Sequence, residues 1–398
     1  MGSPKIIVFS SLFPNSKQPN AGVFIRERMF RVGSEIPIIV VSPVPWFPLQ
    51  GLIRLLKPNY RPQPQKIEEQ SGITIYHPRF FSIPVLFRAS DGFFMALGSL
   101  LTLYRLKKEF GFNLIDAHFA FPDGYAATLL GKWFSVPVTI TLRGTEVPLS
   151  RIPARKKKLL TALRRARKVF SVSDSLKRHV ASLGAEEEKI RVIGNGVDLK
   201  KFYPMDRAEA RKQLNIPLGE KVLISVGGLV ERKGFHRVIE LLPELIKSHP
   251  NLHYLIVGGE CPEGNIRPQL EEQVRRLGIE KRVRFLGAMP SNELRIPLSA
   301  ADLFVLATAN EGWANVFLEA MGCGLPVITT DVGGNKEVIC RSELGIITPF
   351  GEPDKLKFAL LEALDKAWNH KDILNYAAAN SWDSRVTVLT EEFKGLTN

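Results

Sequence analysis

Two doubly wound α/β domains in tandem are the fold this sequence predicts, and three observations predict it. Short β-rich apolar runs alternate with helical stretches from one end to the other, the pattern of parallel βαβ units. Several of those runs are uninterrupted, as expected where helices cover both faces of a sheet. The length of 398 residues is about twice that of a typical domain.

Taken in order, the first half offers strands at Lys5–Ser10, Ile36–Ser42, Ile73–Tyr76, Leu114–His118, Val136–Leu142 and Lys168–Ser173. Helices are expected between them at Gly22–Val32, Asp91–Phe110, Asp123–Phe134, Ala154–Ala166 and Asp174–Leu183. The stretch Pro43–Pro64, crowded with proline and aromatic residues, reads as a long loop. A turn-rich segment, Gly194-Asn195-Gly196-Val197-Asp198, followed by Pro204, marks a joint near residue 200. Beyond it the scheme repeats. Strands fall at Lys221–Val226, His253–Val257, Arg282–Leu286, Leu303–Ala307 and Pro326–Thr330, and helices at Gly234–Ser248, Arg267–Leu277, Ser291–Ala300 and Ala314–Met321. Two Rossmann-like domains of this kind are expected to bind ligand at the carboxyl ends of their strands, in a cleft between them.

Composition narrows the setting. Hydrophobic residues at 45% and charged residues at 24% are ordinary for a globular chain. Cys261, Cys323 and Cys340 are too few for a disulfide framework and lack zinc-site spacing, which fits a reducing interior. The opening apolar run Ile6–Phe9 is too short for a secretory signal, and Met1-Gly2-Ser3 lacks the Ser or Thr that a myristoylation start requires at Ile6. The longest apolar run, Phe93 to Tyr104, is shorter than a spanning helix and reads as core. A soluble, cytoplasmic chain is the expectation.

The net charge of +14 is unevenly placed. Residues 1–200 hold 30 Lys+Arg against 14 Asp+Glu, a balance of +16, whereas residues 201–398 hold 24 against 26, a balance of −2. An anionic partner for the first half follows, either nucleic acid or an acidic membrane surface. Within it, Arg151 to Lys168 places Leu159, Leu160 and Leu163 on one helical face among many cations. Two readings stand for this helix: it lies on anionic lipid, or its leucines pack on their own sheet. Against nucleic acid, the basic helix lacks interleaved aromatics and no recognition-fold signature appears.

Residues 308–337 carry the most chemistry. A strand ends near Ala307, a loop holds Glu311 and Trp313, and a helix begins near Ala314 or Asn315 and carries Val316 and Glu319. A helix start offers N–H groups and a positive dipole end to a phosphate. Carboxylates accept hydrogen bonds from hydroxyls. A ligand with both phosphates and sugars, a nucleotide sugar, satisfies both parts.

With Glu311 and Glu319 separated by seven residues, followed by Gly-Leu-Pro-Val-Ile and Asp331-Val-Gly-Gly, the segment closely resembles the retaining glycosyltransferases of family 4, which have the two-domain GT-B fold. The resemblance extends over nearly the whole chain. Val226-Gly227-Gly228-Leu229-Val230-Glu231-Arg232-Lys233-Gly234 resembles the family's phosphate-binding block. Lys233 matches; Gly228 stands where an Arg is usual, and Arg232 either supplies the missing charge or faces solvent. Asp116-Ala117-His118 through Asp123-Gly124 resembles the block with a catalytic-site histidine, which gives His118 the transferred sugar and Asp123 a place nearby. Arg143-Gly144-Thr145 resembles the family's His-Gly-Thr turn, and Asn20-Ala21-Gly22 the glycine loop before the first helix. The Trp382-Asp383-Ser384-Arg385-Val386 helix resembles the terminal helix that crosses back onto the first domain. The domains are then 1–200 with helix 381–398, for the acceptor, and 201–380, for the nucleotide sugar.

The resemblance implies retention of configuration by a same-face reaction. Glu311 holds donor-sugar hydroxyls, Glu319 the ribose, and Lys233 with Arg232 the departing diphosphate. No Asp-x-Asp, Gly-x-Gly-x-x-Gly or Gly-Lys-Ser/Thr occurs, which points away from a metal–diphosphate clamp, a dehydrogenase and a P-loop. Metal-independent transfer from a UDP- or GDP-linked sugar, with no cofactor, is expected. The acceptor is a saccharide or a lipid-linked saccharide in polysaccharide or envelope synthesis, reached at the inner face of an anionic membrane. Two alternatives stay open: a soluble transferase making a small disaccharide, and a noncatalytic nucleotide-binding relative.

Overall fold

The computed structural model describes residues 3–19, 21–56, 60–83, 88–261 and 263–397; the expectations for Met1-Gly2 and Asn20 lie outside them. The polypeptide forms two compact units, Met1–Asn195 with Arg385–Asn398, and Gly196–Ser384.

Among the described residues, the first unit is built on an eight-stranded sheet beside a two-stranded ribbon. Its strands are β1 (Ile6–Phe9), β2 (Ile38–Val41), β3 (Val44–Trp46), β4 (Ile67–Gln70), β5 (Ile73–Tyr76), β6 (Arg79–Phe81), β7 (Leu114–His118), β8 (Val138–Leu142), β9 (Lys168–Ser171) and β10 (Ile190–Val192). The sheet order is β10-β9-β8-β7-β1-β2-β5-β4, and β3 pairs with β6 in the ribbon. Every residue of β1 is buried, since the strand pairs in parallel with β2 on one side and β7 on the other. The order in which strands are added reverses between β1 and β7, which makes their carboxyl ends the switch-point crevice of this unit.

The second unit holds β11 (Lys221–Val226), β12 (Leu252–Val257), β13 (Val283–Gly287), β14 (Leu303–Leu306), β15 (Val327–Thr330) and β16 (Gly345–Thr348). Their order is β13-β12-β11-β14-β15-β16, all parallel. Numbered locally this is 3-2-1-4-5-6, the dinucleotide-fold order, with its switch point between β11 and β14. The core lies on both faces of the sheet, as uninterrupted strands such as Leu303–Leu306 require.

Each of the eleven strands read from sequence is present, with ends shifted by up to two residues. Strands β3, β4, β6, β10 and β16 were not read. Three of them are three residues long, and β4 (Ile-Glu-Glu-Gln) is an antiparallel edge strand with little apolar content. The stretch Pro43–Pro64 is not one long loop: it contains β3 and a helix, Gln50–Leu56. Of the two readings of helix Pro153–Arg165, packing on its own unit holds for Leu159 and Leu163, which are buried, while Leu160 is half-buried. One further expectation is corrected. The run Phe93–Tyr104 is only half core: in helix Asp91–Glu109, Met95, Ala96, Ser99 and Leu103 are buried, while Phe93, Leu97, Leu101 and Tyr104 are exposed.

The helix Trp382–Thr397 returns the chain to the first unit. Val386, Leu389 and Phe393 enter that unit's core, where the Phe393 ring meets Phe170 edge-on at 5.8 Å. Glu392 anchors the surface side of the contact through Arg191 and Lys168. Phe393→Ala removes a fully buried ring from the first unit, and the expected loss is about 3–5 kcal/mol. Urea unfolding followed by circular dichroism should show the transition midpoint falling accordingly.

Candidate active site

In the second unit, the loops after β11 and β14 meet at the switch point. After β11 the chain runs through Gly227 and Gly228, makes a 3-10 turn over Glu231–Lys233, and enters helix Phe235–Ser248 through Gly234 at φ 78°. A Cβ on Gly234 would lie 1.9 Å from the Ala307 carbonyl oxygen, so only glycine lets the two loops approach this closely. Arg237 Nη1 donates to the same carbonyl at 2.8 Å, and the Ala309 amide donates to Arg232 O at 2.7 Å. The turn is thereby fixed against the β14 loop.

That contact brings Lys233 to Glu311. Lys233 Nζ donates to Glu311 Oε1 at 2.5 Å, with both side chains mostly buried. Thr308 Oγ1 donates to the same oxygen at 3.2 Å, and Arg232 Nη1 reaches it at 3.4 Å. Arg232 is also held in a fork by Glu263, with two bonds of 2.6 Å. This pairing raises the Arg232 pKa and lowers that of Glu263. Arg232 therefore does not simply face solvent; it stands beside Lys233 over the same carboxylate. Gly228 leaves no space for a larger side chain without movement, since a Cβ would sit 2.9 Å from Cys261 Sγ.

Glu311 is held from behind by the first glycine of Asp331-Val-Gly-Gly. Gly333 has φ 52°, and a Cβ there would lie 1.7 Å from the Glu311 carbonyl oxygen. Asn335 ties the same turn to β15, donating to Thr330 O at 2.9 Å and Thr329 Oγ1 at 3.2 Å. The helix Asn315–Gly322 starts four residues after Glu311, from an extended Ala314, so its first-turn amides lie outside the helical ladder. Trp313 packs against the core, its buried Nε1 without a hydrogen-bond partner among the described residues. Glu319 lies further along that helix, half-buried. Burial, with the Glu319 charge second, pushes the neighbouring Cys323 thiol up to about 12 and keeps it unreactive.

In the first unit the switch point holds a different arrangement. Gly22 (φ 67°) starts helix Val23–Gly33, and a Cβ there would meet Leu12 O at 2.4 Å. Asp123 is buried and accepts hydrogen bonds from the backbone amide of Ser11 and from Ser11 Oγ, the latter at 3.1 Å, which closes the crevice between the β1 and β7 loops. Burial raises its pKa to about 6 despite those bonds. His118 is fully buried. Its Nδ1 accepts from Arg143 Nε at 3.2 Å and lies 3.1 Å from Nη2, and its Nε2 lies 3.5 Å from Asp116 Oδ2. Burial, then the charges of Arg143 and Arg28, hold the imidazole pKa well below its usual value, so the ring is neutral.

The sequence expectation gave His118 the transferred sugar. In this structure its Nδ1 faces Arg143 and its Nε2 faces Asp116. Arg143 also donates from Nη1 to Asn195 Oδ1 at 3.0 Å and lies over the Phe24 ring at 5.0 Å. Sequence reasoning missed Glu146, whose fully buried carboxylate accepts from the amides of Ala120, Arg143 and Gly144 at 3.0, 3.2 and 2.8 Å. It also missed Thr308 and Glu263. Glu146 directly follows the recognised Arg-Gly-Thr turn and was within reach of that reading; Glu263 has no local signal.

Two parallel-sheet units with this second-unit site define the GT-B architecture of glycosyltransferases, matched over 99% of both chains by sucrose-phosphate synthase from Thermosynechococcus elongatus at 21% identity and a TM-score of 0.81. Anabaena HepE in complex with UDP covers 98% of this chain and 100% of its own, at 20% identity and a TM-score of 0.73. Residues 206–380 match the model of glycosyl transferases group 1, and residues 52–201 that of glycosyltransferase family 4. The chain is a glycosyltransferase and belongs to family 4. Among curated relatives, a putative teichuronic acid biosynthesis glycosyltransferase of Bacillus subtilis, TuaC, is 28% identical over 380 residues, covering 93% of this chain and 90% of its own. D-inositol 3-phosphate glycosyltransferase of Corynebacterium urealyticum is 34% identical over 222 residues, about half of each chain (53% and 52%).

A carboxyl that takes up its proton more readily in the folded chain than in the unfolded one stabilises the fold at low pH, and this contribution is lost as pH rises through the folded pKa. For Asp123, raised from 3.8 to about 6, the window is pH 4 to 6. Asp123→Asn removes this titration. The stability difference between the parent and this variant should therefore shift against the parent by about 3 kcal/mol across the window. Urea melts at pH 4, 5, 6 and 7 check both sign and size.

Proposed function

We propose that the chain transfers a sugar, with retention of configuration, from a UDP-linked donor to a lipid-linked saccharide at an anionic membrane face, in polysaccharide or envelope synthesis. One observation carries the donor half of this reading: the Lys233–Glu311 pair, with Arg232 on the same carboxylate, beside the start of helix Asn315–Gly322. A diphosphate leaving group gains negative charge as the glycosidic bond breaks. Cations already in place, with oriented amides beside them, stabilise that charge without rearranging during the reaction. Glu311 holds the Lys233 ammonium in place until the donor arrives. The carboxylate then accepts hydrogen bonds from sugar hydroxyls, and the lysine turns to phosphate.

Lys233 and Arg232 do the work that a divalent cation does elsewhere, so transfer proceeds without metal. The uridine base is chosen because HepE was crystallised with UDP and with UDP-glucose. The lipid-linked polysaccharide setting is favoured by the full-length likeness to a teichuronic acid glycosyltransferase and by the +16 balance of residues 1–200. Same-face transfer needs no carboxylate nucleophile. The donor phosphate oxygen takes the acceptor proton, and the protein's task is to position both substrates.

Thermal unfolding with UDP, GDP or ADP in EDTA tests the donor. UDP alone should raise the midpoint, because a ligand that binds only the folded state stabilises it by mass action. An equal response to all three nucleotides, or to none, would sink the reading. For turnover of UDP-sugar on a membrane extract, Lys233→Ala should lower kcat by about 10²–10³. Glu311→Ala should do the same, and both variants should keep the parent's unfolding midpoint within a few degrees. Unchanged turnover in Glu311→Ala would place the reaction elsewhere.

A further inference from the structure

We propose that the outward face of helix Asp91–Glu109, formed by Phe93, Leu97, Leu101 and Tyr104, is the surface that seats this chain on an anionic lipid bilayer. The proposal rests on the lipid-linked acceptor reading above and moves the membrane contact away from the basic helix Pro153–Arg165, whose Leu159 and Leu163 are buried. A helix packed on a sheet ordinarily turns a polar face to water. Here the outward positions recur at helical spacing and are apolar, with Phe93 46%, Leu97 51%, Leu101 81% and Tyr104 53% exposed. Contiguous exposed apolar side chains of this size mark an interaction surface.

The helix cannot rotate to hide them. Gly98 sits against β6, where a Cβ would lie 2.5 Å from Arg79 O and 2.8 Å from Phe80 Cβ, and Gly92 lies equally close to Tyr125 and Pro122 O. A second apolar group is tied to the amino-terminal end of this helix. Leu52, Leu55 and Leu56 of helix Gln50–Leu56 are 60–88% exposed. Arg54 of that helix donates to Tyr60 O and Arg61 O, Arg61 donates to Ser82 O, and Ser82 hydrogen-bonds Asp91.

Charge selects the occupant. Lys108 Nζ lies 4.4 Å over the Tyr104 ring, and two further exposed cations stand near the helix in the chain, Arg79 on β6, which packs on it, and Arg88 three residues before its start. Glu109, the acid at its carboxyl-terminal end, is neutralised by Arg105 at 2.8 Å. Apolar side chains in a frame of cations match an acyl–headgroup boundary with acidic lipid. No helix among the described residues is long and apolar enough to cross a membrane, so the seat lies flat.

The test is co-sedimentation of the full chain with vesicles of phosphatidylcholine alone and with 30% phosphatidylglycerol, about the acidic-lipid content that gives a negative surface potential. Binding to the acidic vesicles is expected, with at least a tenfold loss of partitioning in Leu97→Glu/Leu101→Glu. Lys157→Glu/Arg164→Glu, on the basic helix, should lose less. Phe93→Trp should gain fluorescence quenching by brominated acyl chains, which a misfolded variant would not mimic. Absence of binding by the parent, full binding by the leucine variant, or a larger loss in the basic-helix variant overturns the proposal. So does a parent dimer in sedimentation velocity that the leucine variant dissociates, since a second copy would then cover the face. The UDP thermal shift should be the same in parent and leucine variant. Its absence from both would defeat the donor reading while leaving vesicle binding to judge the surface.

Discussion

Three loops of the second unit, those after β11, β14 and β15, approach so closely beside the β11–β14 switch point that no side chain fits between them, and the candidate donor site depends on that approach. Gly234 lies against the Ala307 carbonyl and Gly333 against the Glu311 carbonyl, each too near for a Cβ. The first contact sets where Lys233 stands; the second sets where Glu311 stands. With both fixed, a lysine and a glutamate 78 residues apart in sequence share a 2.5 Å ion pair. Alanine at either glycine would put a Cβ 1.9 or 1.7 Å from a carbonyl oxygen, so the loops would have to move apart. The turn Asp331-Val-Gly-Gly thus acts on the site through backbone spacing.

The first unit uses burial where the second uses proximity. Asp116, His118, Asp123, Arg143 and Glu146 gather at the ends of β7 and β8, and most are removed from solvent. Their pKa shifts run in the direction that disfavours charge: Asp116 and Asp123 rise to about 6, and His118 falls. Glu146 is bound by three backbone amides, and it fixes the turn that carries Arg143. Phe119, the residue after His118, sits at φ 71°, a conformation that a bulky side chain holds only where its surroundings enforce it. The amides of Phe119 and Ala120, bonded to Thr141 O and Glu146, supply that enforcement. Together these bonds set the orientation of one arginine.

The charged and apolar surfaces of the first unit are separate features. Helix Pro153–Arg165 has the cations but buries its leucines in the fold. Helix Asp91–Glu109 has fewer cations but leaves its apolar side chains outside. From sequence both look alike, a run of leucines near lysines, because periodicity reports that a helix has a face and not what covers it. Only the neighbours decide, and for Asp91–Glu109 the deciding neighbour is β6, a three-residue strand with too little pattern to be read.

The sequence by itself determined the alternation of strands and helices, the division into two halves, the asymmetry of charge, and the identity of the glycine and glutamate blocks. These are local signals, carried by residues within one turn or one strand of each other. Tertiary structure alone decided which side chains meet. It turned Arg232 toward Glu263 and Glu311, withdrew His118 behind Arg143, joined Ser11 to Asp123, and put Phe393 into a core that starts at residue 6. The physical reason is strand order. Parallel sheets with switch points place residues 25 to 112 positions apart at adjacent strand ends, and no local pattern in the chain encodes that adjacency.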